Sequence, residues 1–170
     1  MSKHLYVKLA MLAASVCTVT AHAASPATAT FQVLMTIQKT CSVAAGGASN
    51  INLGTVLSTA TNTSNTSNFS VTCSKTTPYF VGMLPSNTNT AGAGTMSGTG
   101  TNTDKVPYQL YSNAGLSTPW GNTATSTTVG NGVAGTGTGL PVTTSVWAQA
   151  SSANFTPDNY TDTVTINVNF

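Results

Sequence analysis

The most constraining feature of this sequence is a run near its end in which apolar side chains recur at every second position. Tyr160, Val164, Ile166, Val168 and Phe170 stand apart by even steps, with Thr163, Thr165, Asn167 and Asn169 between them. A period of two places one set of side chains on each face of an extended strand, so one face is buried and the other is wetted. The run reaches Phe170, so no later strand of the sequence is expected to pair beside it. A second alternating run, Phe31, Val33, Met35 and Ile37, precedes the first cysteine of the exported chain, with Leu34 as an apolar residue on its other face.

Between these runs the chain is rich in Thr, Ser, Asn, Gly and Ala. Such low complexity can signify disorder. Short alternating apolar runs argue for strands instead. They are expected at Ile51–Val56, Phe69–Cys73, Tyr79–Leu84, Val106–Tyr111, Leu116–Trp120 and Leu140–Trp147. The stretches 86–104 and 121–139 read as loops, being rich in Gly, Thr and Asn. No long helical period occurs. The expected class is all-β, a sandwich of short antiparallel strands.

The start of the chain indicates export. Lys3 and Lys8 precede an apolar stretch from Leu9 to Val19, and Ala21-His22-Ala23 supplies a small-x-small cleavage site. This is read as a signal peptide over residues 1–23. A membrane span would need roughly 20 apolar residues, more than the stretch provides. After cleavage the side-chain charges are Lys39, Lys75 and Lys105 against Asp104, Asp158 and Asp162, with no Arg or Glu anywhere. No basic cluster remains to displace counterions from phosphates, which excludes nucleic acid as a partner. Cys41 and Cys73 are the cysteines left in an oxidising compartment, so a disulfide between them is expected, since two thiols without histidine make a poor metal site.

The same accounting limits catalysis. His4 and His22 leave with the signal, so a Ser-His-Asp or Cys-His arrangement cannot form in the mature chain. Asp158 and Asp162 are close in sequence and could in principle act as acid and base. Beside a terminal strand they read more simply as turn and surface residues. Asp104 and Lys105 read as a surface pair of little energetic weight. The glycine-rich stretches lack the lysine and the strand-to-helix setting of a phosphate loop. No cofactor or metal is expected.

Taken in order, these pieces resemble the spore coat protein U domain family, and within it the major subunits of archaic (Csu-type) chaperone–usher pili. The resemblance rests on the alternating segment before Cys41-Ser-Val43, on Asn52-Leu-Gly-Thr-Val56, and on Phe69-Ser-Val-Thr-Cys73. It continues through Tyr108-Gln-Leu-Tyr111 with Trp120-Gly121 downstream, and closes with Asn159-Tyr-Thr-Asp-Thr-Val164 leading into the terminal strand. Segment 145–149, Ser-Val-Trp-Ala-Gln, departs from the Tyr-Gly-Arg-like sequence common there. The resemblance implies an incomplete immunoglobulin-like sandwich lacking its last strand, with residues 24–38 as an N-terminal donor strand and residues 39–170 as the pilin domain. It implies that Phe31, Val33, Met35 and Ile37 enter a neighbour's groove, which Val164, Ile166, Val168 and Phe170 line as acceptors. The implied partners are further copies of the chain in a head-to-tail polymer, a periplasmic chaperone and an outer-membrane usher. The implied location is the cell surface, in a fimbrium supporting adhesion and biofilm formation. Two other readings stay open: a self-contained secreted coat or matrix protein with its N-terminal strand folded into its own groove, and a carbohydrate-binding domain using Trp120 or Trp147 as a stacking platform.

Overall fold

The computed structural model describes residues 26–170. The expected signal peptide over residues 1–23 lies outside the described residues. The described chain divides after Thr36. Residues 26–36 carry no helix or strand, and their side chains are exposed. Residues 37–170 form a two-sheet sandwich whose one helical element is a short 3-10 turn at Gly47–Ser49.

The larger sheet holds β1 (Cys41–Ala44), β2 (Thr61–Cys73), β7 (Val142–Ser152), β5 (Lys105–Tyr111) and β4 (Ala93–Ser97), in that spatial order. The smaller sheet holds β6 (Val133–Thr136), β3 (Pro78–Pro85) and β8 (Val164–Asn169). Every pairing is antiparallel. The inward residues follow the alternation. Phe69, Val71 and Cys73 from β2, Val81 and Met83 from β3, Val106 and Leu110 from β5, and Val146 and Ala148 from β7 form the buried core. Polar partners such as Asn68, Thr72 and Gln109 face outward or stay partly exposed.

Trp120 links the layers. It is 0 % exposed, its backbone N–H donates to Leu110 O at 2.9 Å, and its indole Nε1 donates to Val81 O at 2.8 Å. Its ring lies 6.0 Å from that of Phe69. A large ring is thereby buried without leaving its polar N–H unpaired. A buried Trp120 cannot serve as a stacking platform for a sugar.

The two outer strands β4 and β6 are built alike. Gly94 sits opposite Tyr108, and Gly135 opposite Tyr79. In each pair the tyrosine ring lies where a Cβ on the glycine would be. The ring covers a backbone stretch that has no side chain of its own, an arrangement that pins the register of a short strand.

Several sequence expectations are corrected. Ile51–Val56 forms no strand. Gly54 there has φ +84°, a left-handed conformation that breaks an extended run. Leu116–Trp120 is a turn-rich segment with one isolated bridge, Tyr111 to Pro119, and Leu116 itself has φ +50°. The stretch 86–104 contains β4, and the stretch 121–139 contains β6. β2 begins eight residues before Phe69, because its polar half pairs with β7 from Thr61↔Ser152 to Asn68↔Ser145, interrupted only at Asn62, which has φ +54°.

Candidate functional site

β8 pairs with β3 along one edge, from Phe80↔Asn169 to Pro85↔Val164. Along its other edge no strand pairs with it among the described residues. Beside that open edge lies a trough of about 930 Å³, adjoined past the start of β8 by a second cavity of about 760 Å³, and the two share Ile51, Leu53, Met96 and Tyr160. One wall is Val164 and Ile166 of β8, continued backward through Tyr160. The other wall is the irregular segment 45–58. The floor is apolar, with Phe69, Met83, Leu110, Val146 and Ala148 coming from both sheets.

The walls carry apolar side chains at half burial: Ile51, Leu53, Phe155, Tyr160, Val164 and Ile166 pack on the core while retaining an exposed side. Half-buried apolar side chains beside an unpaired strand edge leave two demands unmet. The backbone groups of that edge need partners, and the apolar area remains in water. A single extended segment with alternating apolar residues answers both.

The polar groups near the trough are structural fastenings. Tyr108 donates from its hydroxyl to Asp162 Oδ2 at 2.7 Å, and Ser86 and the backbone N–H of Thr163 donate to Asp162 Oδ1. Burial, reinforced by the Asp162 carboxylate, pushes the Tyr108 phenol well above its ordinary value, so it stays a neutral donor. Asp158 accepts from the Thr99 hydroxyl, from Asn102 Nδ2 at 2.8 Å, from Thr99 N at 2.7 Å and from Asn159 N at 2.7 Å. These donors, the Thr99 hydroxyl first, hold its carboxyl well below the usual carboxylate range. Asp104 is lowered by the backbone N–H of Thr156, 2.9 Å away. Asp158 and Asp162 thus tie the strand-connecting loops to the segment before β8 and are already engaged by protein donors. Lys105 donates to Ser97 Oγ at 2.6 Å. Among the described residues no group of three His, Cys, Asp or Glu side chains is placed to hold a metal ion.

The residues singled out in the sequence fall as follows. Cys41 and Cys73 form a disulfide, with Cα atoms 4.1 Å apart, and stand opposite each other where β1 meets β2. Val164 and Ile166 line the trough. Val168 packs against the core opposite Val81, beyond the trough's lining. Phe170 lies past the end of β8 and is 39 % exposed. Phe31, Val33, Met35 and Ile37 belong to no strand and are 88 %, 87 %, 81 % and 77 % exposed. Ile51, Leu53, Met96, Phe155 and Tyr160 were not expected as trough residues. Alternation marked Ile51 and Leu53 as inward-facing, but nothing in the sequence placed them across from β8.

Comparison with known proteins agrees with this architecture. The crystal structure of the chaperone–tip adhesion subunit pre-assembly complex from the archaic chaperone–usher Csu pili of Acinetobacter baumannii contains a chain similar to this one. The identity is 20 % and the TM-score 0.53, over 79 % of this chain and 40 % of that one. A chaperone–tip adhesin complex of CFA/I fimbriae biogenesis is also similar, at 10 % identity and TM-score 0.48 over 76 % of this chain and 41 % of that one. The chain therefore spans about two-fifths of the length of these solved chains. No curated protein matches it. The first likeness establishes the fold, an immunoglobulin-like sandwich open along β8. The model of the Spore Coat Protein U domain matches residues 27–167, nearly the whole sandwich and the segment before it, and the chain belongs to that family.

Proposed function

We propose that this chain is a structural subunit of a surface pilus that polymerises by donor-strand complementation and exchange. In this reading residues 1–23 are a signal peptide removed on export, residues 24–38 are the donated segment, and residues 39–170 are the pilin domain. The observation that carries it is the trough beside the open edge of β8, whose apolar floor and half-buried apolar walls would receive an extended, alternating segment. Residues 29–38 have the matching pattern, with Phe31, Val33, Met35 and Ile37 at successive alternate positions and no strand of their own. Inserted beside β8 of another copy, their backbone completes the ladder and one face of side chains fills the floor. Val164 and Ile166 are the first acceptors, with Val168 and Phe170 extending the edge.

Each copy then offers one groove and one donor, so the linkage is head-to-tail and grows a fibre. A periplasmic chaperone fills the groove before assembly, which keeps an apolar edge from indiscriminate pairing. An outer-membrane usher hosts the exchange, and the finished fimbrium serves adhesion and biofilm formation. The role assigned to the chain is mechanical and adhesive, without catalysis or a cofactor.

Deleting residues 24–38 behind an intact signal tests this reading. The expected result is loss of surface fibres while chaperone-bound monomer accumulates. Normal fibres from the deleted chain would refute donor-strand assembly. Hydrogen exchange on the purified monomer separates the alternative: protection of residues 29–38 without any partner would favour a self-contained coat or matrix protein.

A further inference from the structure

The side-chain charges of the sandwich are segregated between its two poles. Lys75 lies in the turn after β2, and Lys39 stands just before β1. Both are exposed, at the pole where Cys41 and Cys73 are joined. At the opposite pole β7 ends and β8 begins, and there lie Asp104, Asp158 and Asp162. Lys105 shares this pole, bonded to Ser97, so three carboxylates face one ammonium. With so few charges in the chain, a two-ended distribution gives the domain a long-axis polarity.

The connection between the sandwich and the segment before it is short. The Thr40 N–H donates to Ser74 Oγ at 3.1 Å, and Thr40 O accepts from Ser74 N at 2.9 Å, which fixes Thr40 to the cationic pole. From Ile37 to Thr40 is three Cα steps, at most about 11 Å of chain. A copy whose donor segment is seated in a neighbour's groove therefore keeps its own cationic pole against that neighbour. The direction of the inserted strand decides which pole it meets. Antiparallel to β8, Ile37 finishes beside Asp162 and Val164, at the anionic pole. Parallel to β8, it finishes beside Asn169, at the opposite pole. Every strand pair in this sandwich is antiparallel, which selects the first arrangement.

We propose that the Lys39–Lys75 pole of one copy docks on the Asp104–Asp158 pole of the next, forming an electrostatic joint that orients successive copies along the fibre. This rests on the donor-strand reading. It adds a second contact outside the groove, with a second copy of the chain as the partner.

Zero-length carbodiimide coupling of assembled fibres tests the joint, since it makes an amide only where an ammonium touches a carboxylate. The expected products join Lys39 or Lys75 of one copy to Asp104 or Asp158 of another, in fibres and not in chaperone-bound monomer. Fibre growth of the full chain should slow roughly three- to tenfold as salt rises from about 0.02 to 0.5 M, because the screening length then falls from about 20 to 4 Å. A Lys39→Gln, Lys75→Gln chain should grow slowly at both salt concentrations. Fibres whose couplings fall elsewhere, or whose growth is indifferent to salt, would overturn the joint while leaving donor-strand assembly in place. Fibres formed without residues 24–38 would remove the reading beneath it.

Discussion

Replacing Val33 and Met35 together by Asp is the sharpest test of which face of the proposed donor segment enters the groove. In the free chain these side chains are 87 % and 81 % exposed, so nearly all of their apolar area is available to be removed from water. The floor awaiting them, built by Phe69, Met83, Leu110 and Val146, offers no charged partner. Burying a side chain of this size contributes ~1.5–3 kcal/mol, so the pair contributes ~3–6 kcal/mol. At ~1.4 kcal/mol per tenfold, that is roughly a hundred- to ten-thousandfold in groove occupancy. Two carboxylates on an apolar floor add a desolvation penalty in the same direction. The assay is surface fibre yield by electron microscopy, with chaperone-bound monomer measured in parallel, and a Gln32→Asp, Thr36→Asp chain as the outward-face control. Fibres should vanish for the first pair and persist for the second. Wild-type fibre yield from the Val33→Asp, Met35→Asp chain would refute this face as the buried one. Loss of fibres from the control alone would transfer that role to the face carrying Leu34.

Three further outcomes are expected. Removing the Cys41–Cys73 bond by a double Ser substitution should lower unfolding stability by ~3–4 kcal/mol, read by denaturant titration, since it releases a loop with a sequence separation of 32. Trp120→Ala should cost ~3–5 kcal/mol and Trp120→Phe less, the latter keeping a ring while losing the hydrogen bond to Val81 O and part of the buried volume. The third concerns pH. Because the Asp158 carboxyl is held low in the fold, its ionised form contributes stability above the unfolded value of about 3.9, and that contribution fades as pH falls through the lowered folded value. The melting temperatures of the wild type and Asp158→Asn should therefore differ by a constant amount from pH 6 to about pH 4 and draw together only as pH falls further, toward the lowered folded value. A gap that stays constant as pH falls from about 4 toward that lowered value would rule out the charge as its source.

Much of the fold was legible where apolar residues alternate. Phe69, Val71 and Cys73, the Tyr79–Leu84 segment and the Val164–Val168 run all lie in strands with their inner faces buried or half-buried. The polar half of β2 was not legible, because Thr61–Asn68 has no apolar period. It is a strand by virtue of its pairing with β7, a long-range cause that a local pattern does not contain. β4 and β6 escaped notice because glycine occupies the position their tyrosine partners cover. The opposite failure occurred at Ile51–Val56, where the alternation is real and serves the trough wall, while the backbone turns at Gly54. At the site, β8's contribution could be read directly. The facing wall could not, since it is assembled from a segment some hundred positions away without regular structure.

The two glycine–tyrosine pairs bear on valence. The sandwich has four sheet edges, carried by β1, β4, β6 and β8. β1 and β6 span four residues each and β4 five, and β4 and β6 have a tyrosine ring seated over their glycine, so none presents a long sticky ladder to a stranger. β8 has the trough lined by Val164 and Ile166 beside it. Under the proposed donor-strand assembly, a particle with one receptive edge and one segment to give can have two neighbours and no third. Chains of such particles cannot branch or form a gel, and their length is set by how often an end is stopped.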